Sequence, residues 1–169
     1  AYLDKKYICS TTPQNYIYTG LIVTQLKGSK IIYCYRNPLD HIKEMYFKHF
    51  ENRHTYTSSI IESANIWIAT HTLMKEYKKE FSDYIYFLNY DHLVQDTENT
   101  IKSLIEWLGW DFNDKYMSPN FQTSTYMSAK NNNPSINKSF LNSHIHYQDI
   151  LTPAIDAFKK NNKFKGFVL

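Results

Sequence analysis

The sequence is poor in glycine, cysteine and arginine, and each shortage narrows what the chain can do. Its 169 residues include four glycines, none next to another, so it holds no glycine-rich loop that could wrap a phosphate with backbone N–H groups. Two cysteines, Cys9 and Cys34, are too few for a disulfide framework or a thiolate metal site. Each lies in an apolar run, which predicts buried thiols. Only Arg36 and Arg53 are arginines, in a chain rich in Lys and Asn, so the position of each arginine is informative.

Composition excludes several classes of protein. With 43% hydrophobic and 21% charged residues the chain is globular, and a net charge of +3 gives no basic stripe for a nucleic-acid partner. No apolar run approaches the roughly 18 residues of a membrane span, and the start does not resemble a signal peptide. His144 and His146 lack a third ligand at metal spacing, so we expect no metal site. We therefore expect one domain, residues 1–169, located in the cytoplasm.

Periodicity predicts alternating strands and helices. Short β-rich runs at 7–9, 31–35 and 84–90 predict strands, and the continuous apolar run at 31–35 is typical of a strand covered on both faces. Helices are predicted over 14–26, from Pro38 onward, over 58–81, from Asp96 to Gly109 and around 151–158. Residues 113–143 are predicted to be a long loop, and the 58–81 stripe, including His71, to be core. This alternation predicts an α/β fold with a parallel sheet.

Arg36 lies where a predicted strand ends and a predicted helix begins. In the stretch IIYCYRNPLDHIKEMYFKHF, Asn37 is the expected helix cap and Pro38 suits the first turn. Free N–H groups and the helix dipole favour an anion there, and the guanidinium fork matches two phosphate oxygens. The alternative is that Arg36 pairs with Asp40 one turn later and only staples the turn. The residues alone leave both readings open.

Three stretches in chain order resemble the sulfotransferases that use 3′-phosphoadenosine 5′-phosphosulfate (PAPS), closest to the bacterial and tyrosylprotein-type branch. The stretch above is similar to the 3′-phosphate-binding segment, Arg-Asn/Asp-Pro-x-Asp before a helix. The stretch YIYFLNYDHLVQDTENTIKSLIEWLGWDF is similar to the family's Tyr-Glu-Asp-Leu segment and its helix ending in Leu-Gly. The tail NKSFLNSHIHYQDILTPAIDAF is similar to the closing Ser-x-x-x-Ser-Trp-x-x-Tyr-x-x-x-Leu pattern.

The resemblance implies a fold, a cofactor and site residues. The fold would be the sulfotransferase form of the P-loop nucleotide hydrolase fold, and the cofactor PAPS or its product adenosine 3′,5′-bisphosphate. Arg36 would bind the 3′-phosphate and Tyr90 would lie near the nucleotide. Ser128 would match the family's loop serine, and Glu44 stands where a serine normally touches the 3′-phosphate.

The sequence also departs from the family pattern. The 5′-phosphosulfate loop and its strand are absent, so we expect this chain to be the carboxyl-terminal part of a longer protein. Thr11 replaces the lysine that assists sulfuryl transfer, and a neutral hydroxyl cannot balance charge on the leaving oxygen. Glu44 would face the phosphate dianion, at a cost of up to about 4 kcal/mol for unit charges roughly 4 Å apart. His144 replaces the closing tryptophan.

Three functions follow from these features. The first is transfer of a sulfuryl group from PAPS to a hydroxyl or amine acceptor that the sequence does not identify, in a bacterial protein whose general base cannot be assigned. The second is a degenerate domain that keeps the fold and binds a partner, as Thr11 and Glu44 suggest. The third is another nucleotide-binding α/β protein, such as a kinase relative, which leaves the tail motif unexplained.

Overall fold

The computed structural model describes residues 7–48, 55–117, 138, 141–164 and 166. Six α-helices are found in these ranges: α1 Thr19–Gln25, α2 Pro38–Lys48, α3 Ile60–Glu80, α4 Tyr90–Gln95, α5 Thr97–Leu108 and α6 Gln148–Lys160. Short 3₁₀ helices lie at Pro13–Tyr18, Thr55–Ser58, Asp114–Met117 and Ser143–Tyr147. The strands are β1 Ile31–Tyr35 and β2 Ile85–Asn89.

The described sheet has two parallel strands. β1 pairs with β2 in register from Ile31 opposite Ile85 to Tyr35 opposite Asn89. The chain between them runs through α2 and α3, which is the long crossover that parallel strands require. Mixed helices and strands with a parallel sheet confirm the predicted α/β class. Since both strands end at the same edge, Arg36 and Tyr90 are brought to that edge.

Helix boundaries follow local sequence signals. At the start of α2, Asn37 Oδ1 accepts hydrogen bonds from the backbone N–H groups of Leu39 at 2.9 Å and Asp40 at 3.3 Å, as predicted for the cap. Ser59 caps α3 by accepting from Glu62 N at 3.3 Å. Helix α5 ends at Gly109, whose φ of 74° lies in the left-handed region that glycine favours.

The core lies among α2, α3 and α6. Its buried residues come from these three helices and from the segment after α6: Leu39, Ile42, Met45, Ala64, Trp67, Leu151, Ala154, Phe158 and Phe164. The predicted stripe on α3 is confirmed as core. His71 on that stripe is 2% exposed and stacks on Trp67, with ring centroids 4.6 Å apart. Its Nδ1 lies 3.3 Å from the Tyr33 hydroxyl, which links the core to one face of the sheet.

Two predictions about the strands are wrong. Residues 7–9 are not a strand, and Tyr7 and Ile8 are exposed, with the Tyr7 ring 5.0 Å from that of Trp110. The sheet is not covered on both faces by the described residues, because Ile32 and Cys34 of β1 are exposed while α5 packs against the β2 side. An apolar run shows that a strand is hydrophobic, but it does not show which other elements pack against each of its faces.

The predicted buried thiols fail for the same reason. Cys9 is exposed in the segment before the first 3₁₀ helix, and Cys34 is exposed on the uncovered part of the sheet. Both are free thiols.

Candidate functional site

Arg36 follows β1 directly and precedes the first turn of α2. Its side chain is 14% exposed, so it is held in the structure and still reaches the surface. The Arg36 Cζ atom lies 5.4 Å from the centre of the Tyr90 ring, within cation–π range. The ring therefore flanks the guanidinium at the edge where both strands end.

Two carboxylates flank the same guanidinium. Arg36 Nη2 lies 3.6 Å from Asp40 Oδ2, and Arg36 Nε lies 3.9 Å from Asp91 Oδ1. These separations exceed the roughly 2.7–2.9 Å of a charge-assisted hydrogen bond. The pairing of Arg36 with Asp40, which the sequence analysis left as an alternative, thus exists as an ion pair, and it orients the guanidinium without the short contacts of a fork-to-carboxylate bond.

Asp91 ties the two strand ends together. Its Oδ2 accepts a hydrogen bond of 2.5 Å from the backbone N–H of Asn37, the residue after Arg36. Asn89 fixes the other side, because its Oδ1 caps α4 by accepting from Asp91 N at 2.8 Å and His92 N at 3.4 Å. The residues that follow β1 and β2 therefore form one polar edge.

Asp40 joins this edge to a segment more than 100 residues later in the chain. Its side chain is fully buried and accepts hydrogen bonds from Asn142 N at 2.9 Å, Ser143 Oγ at 3.0 Å and His144 N at 2.7 Å. His144 Nδ1 lies 3.1 Å from the same carboxylate. Asp40 thereby anchors the closing turn beside Arg36, and all three motif stretches of the sequence meet here.

Lys43, on α2, is a second cation near Arg36. It is 7% exposed, and its Nζ donates a hydrogen bond of 2.6 Å to Ser143 Oγ. The same ammonium pairs with Glu44 Oε1 at 3.1 Å and lies 5.5 Å from the centre of the Tyr147 ring. Glu44, which the sequence analysis expected to face the phosphate dianion, therefore has a cation beside it.

His41 is half-buried on the first turns of α2. Burial, and then the charge of Arg36, lower the pKa of His41 from 6.5 to about 4. Its imidazole is therefore neutral at pH 7 and adds no positive charge beside Arg36 and Lys43.

A cleft of about 250 Å³ opens beside the end of β2. Residues from both strand ends and from α4 and α5 line it, among them Tyr35, Asn89, His92, Asn99 and Ser103. A larger cleft of about 510 Å³ lies between α3 and α6, and none of its lining residues belongs to the site around Arg36. The larger cleft is thus separate from the charged groups around Arg36.

The structure places the predicted site residues as follows. Arg36 and Tyr90 lie together, and Glu44 lies on α2 paired with Lys43. Ser128 falls outside the described residues. Thr11, the residue at the family's lysine position, is exposed in the segment before the first 3₁₀ helix.

Sequence reasoning missed Lys43 as a site residue, because lysine is common in this chain and Lys43 matches no motif. Asp91 and Ser143 were matched only as motif residues, and neither was assigned to the site. Acidic residues directly after a predicted strand end were a usable signal for Asp91. No local signal indicates the contact of Lys43 with Ser143, since it depends on how the closing segment packs.

Within the described part of the chain, no group of three or more His, Cys, Asp and Glu side chains is arranged to hold a metal ion. Over those same ranges, no helix has the length and apolar character needed to cross a membrane.

The structure defines an α/β protein with an arginine at the edge where its two parallel strands end, an arrangement that favours an anion. The chain belongs to the sulfotransferase family, whose model matches residues 2–114. It is also 26% identical, over 173 aligned residues, to an uncharacterized protein of Aquifex aeolicus (strain VF5). That alignment covers 96% of this chain and 22% of the relative, so the chain spans about a fifth of the relative's length. No solved structure matches the chain significantly.

Proposed function

We propose that the protein transfers a sulfuryl group from PAPS to a hydroxyl or amine acceptor, and that Arg36 binds the 3′-phosphate of the nucleotide. Family membership supports sulfuryl transfer as the reaction class. The observation that carries the proposal is the position of Arg36 at the end of β1, beside the N-terminus of α2 and the Tyr90 ring.

The physical basis is the match between this edge and a phosphate. The first turn of α2 contributes the positive end of a helix dipole, and the arginine fork contributes two parallel donors. Asp40 and Asp91 stand at 3.6 and 3.9 Å from Arg36, so an arriving phosphate can make shorter contacts than either carboxylate makes. Tyr90 would lie against the bound nucleotide, and Ser128 remains a proposed contact.

The reaction would be an in-line displacement. The acceptor oxygen or nitrogen forms a bond to sulfur as the bond from sulfur to the bridging phosphate oxygen breaks, and adenosine 3′,5′-bisphosphate leaves. A general base removes the acceptor proton, and no residue is assigned to this role. Such transfer depends on positioning and on neutralising the charge of the leaving oxygen. Thr11 cannot supply that charge, so it has to come from elsewhere.

We further propose that residues 1–169 form part of one domain with the P-loop-like sulfotransferase fold. The four glycines are separated along the sequence, so the glycine-rich loop for the 5′-phosphosulfate would come from residues outside it. In this proposal that loop would follow the first strand of the complete domain.

A second candidate is a non-catalytic domain that keeps the fold and binds a partner. Thr11 at the lysine position and Glu44 on α2 favour it, because both reduce positive charge where the nucleotide would bind. The contact of Lys43 with Glu44 at 3.1 Å weakens this candidate, since it offsets the added carboxylate. Ligand binding separates the two candidates.

The test is calorimetric titration of the full-length protein with adenosine 3′,5′-bisphosphate. We expect Arg36→Ala to weaken binding by at least about tenfold, because a charge-assisted bidentate contact is lost. Lys159→Ala, at an exposed cation on α6, is the control and should bind as the wild type does. Adenosine 5′-monophosphate lacks the 3′-phosphate, so Arg36→Ala should leave its affinity unchanged.

Each outcome decides between the candidates. Wild-type binding that depends on Arg36 and on the 3′-phosphate supports the sulfotransferase. Absence of binding in the wild-type protein overturns it and leaves the non-catalytic domain. Equal binding by wild type and Arg36→Ala would place the nucleotide away from this edge.

A further inference from the structure

Lys43 is a buried ammonium that the proposed reaction does not use. Burying a lysine is costly unless its charge is paired and its donors are satisfied. Here its Nζ donates to Ser143 Oγ at 2.6 Å and pairs with Glu44 Oε1 at 3.1 Å, beside the Tyr147 ring. These contacts connect the middle of α2 to the closing turn, where Asp40 is also bound.

The direction of each hydrogen bond in this group follows from the chemistry. An ammonium only donates, so Ser143 Oγ accepts from Lys43. An ionised carboxylate only accepts, so the Ser143 hydroxyl proton points to Asp40 Oδ1, 3.0 Å away. Lys43 and Asp40 together therefore fix the orientation of the Ser143 hydroxyl, because Lys43 occupies its acceptor side and Asp40 receives its proton.

The same carboxylate faces Arg36. Asp40 Oδ2 lies 3.6 Å from Arg36 Nη2, while Asp40 Oδ1 receives Ser143 Oγ and His144 N. Polar groups linked in this way polarise and orient one another in a low-dielectric surrounding. A change at Lys43 thus reaches Arg36 through two intervening side chains.

We propose that Lys43 is a positioning residue, which holds Arg36 in place for an anionic ligand through Ser143 and Asp40. This inference rests on the proposed function of Arg36. It adds a requirement that does not follow from Arg36 alone: a phosphate ligand binds well only while Lys43 donates to Ser143. Lys43 itself need not contact the ligand.

The experiment measures the affinity of the full-length protein for adenosine 3′,5′-bisphosphate in a double-mutant cycle. Lys43→Met keeps the length of the side chain and removes its charge, and Ser143→Ala removes the linking hydroxyl. We expect each single change to weaken binding by about tenfold, the scale of one hydrogen bond to a charged group. The double variant should bind the ligand as tightly as the single variant with the lower affinity, because both changes break the same connection.

Two further variants separate positioning from other roles. Lys43→Arg keeps a cationic donor and should restore most of the affinity. Lys43→Met in a Glu44→Gln background should still lose affinity, since the link to Ser143 does not depend on Glu44. Lys159→Met, on α6, is a control for removal of a lysine charge elsewhere on the domain.

Several results would overturn the inference while leaving the proposed function intact. Additive losses for Lys43→Met and Ser143→Ala would show that the two residues act separately. Loss that vanishes in the Glu44→Gln background would show that Lys43 only masks a neighbouring carboxylate. Unchanged affinity in Lys43→Met, with binding still lost in Arg36→Ala, would show that Arg36 is positioned without it. Failure of the wild-type protein to bind would instead overturn the proposed function, and this inference with it.

Discussion

At the scale of single residues, Asp40 connects Arg36 with the closing turn at residues 142–144. It is fully buried, lies beside Arg36 and accepts three hydrogen bonds from residues 142–144. A buried carboxylate is tolerated only when its charge is matched by such donors. Sequence reasoning saw Asp40 as a partner for Arg36, but its main contacts are with the closing turn.

We predict that Asp40→Asn destabilises the protein by about 3 kcal/mol. The new amide NH₂ would face N–H or O–H donors of residues 142–144, and the remaining hydrogen bonds would no longer be made to a charged group. Urea unfolding followed by circular dichroism measures the loss. Asp149→Asn, an exposed change in the first turn of α6, is the control and should cost under about 1 kcal/mol. Equal losses in the two variants would mean that Asp40 does not anchor the closing turn.

At the scale of secondary-structure elements, the C-terminal end of α5 tests whether a left-handed glycine is needed there. Gly109 has a φ of 74°, and its N–H donates to Glu106 O at 2.9 Å while Trp110 N donates to Ile105 O at 3.1 Å. We predict that Gly109→Ala costs about 1–2 kcal/mol, because a Cβ is unfavourable in left-handed backbone. The thermal midpoint measured by calorimetry should fall by several degrees, at about 2–4 °C per kcal/mol.

The control for that change is Gly166→Ala. Gly166 is outside the left-handed region, and among the described residues no atom beyond its chain neighbours lies within 4 Å of the position its Cβ would occupy. It should therefore shift stability by less than about 0.5 kcal/mol. A loss at Gly166 as large as at Gly109 would show that the backbone conformation is not the cause.

Elements with explicit local signals could be predicted from the sequence. Asn37 and Pro38 predicted the start of α2, and Gly109 predicted the end of α5. Helix α4 was missed because Tyr90 continues an aromatic run, although Asn89 provides a capping side chain at that point. The chain up to residue 90 reads as strand, and only the cap shows where it stops.

At the scale of the whole molecule, contacts between distant segments could not be predicted. The exposure of Ile32 and Cys34 depends on which helices cross the sheet, and the contact of Lys43 with Ser143 depends on where the closing segment packs. Both are decided by tertiary packing, which hydrophobic periodicity does not encode. The position of Arg36 was predictable because it follows from two adjacent local elements.

Global stability should depend on His71, which lies between the sheet and the helices. Burial, and then the charge of Lys75, lower its pKa from 6.5 to about 4 in the folded protein. As the pH falls, the His71 imidazole therefore takes up a proton near pH 6.5 in the unfolded chain. In the folded protein it stays neutral down to about pH 4. This contribution to stability is fully present above pH 6.5 and is lost as the pH falls toward 4.

We predict that the free energy of unfolding falls through this window by up to about 1.4 kcal/mol per pH unit for each such histidine. His41 shares the lowered pKa, so His71→Phe should remove about half of the slope that the two produce together. Urea titrations of wild type and variant at several pH values between 4 and 7 give the difference in slope, in which carboxylates that titrate alike in both proteins cancel. His92→Phe, at an exposed position, is the control for removal of an imidazole. Identical slopes for wild type and His71→Phe would mean that His71 takes up its proton without unfolding, through a local opening of the Tyr33 and Trp67 contacts.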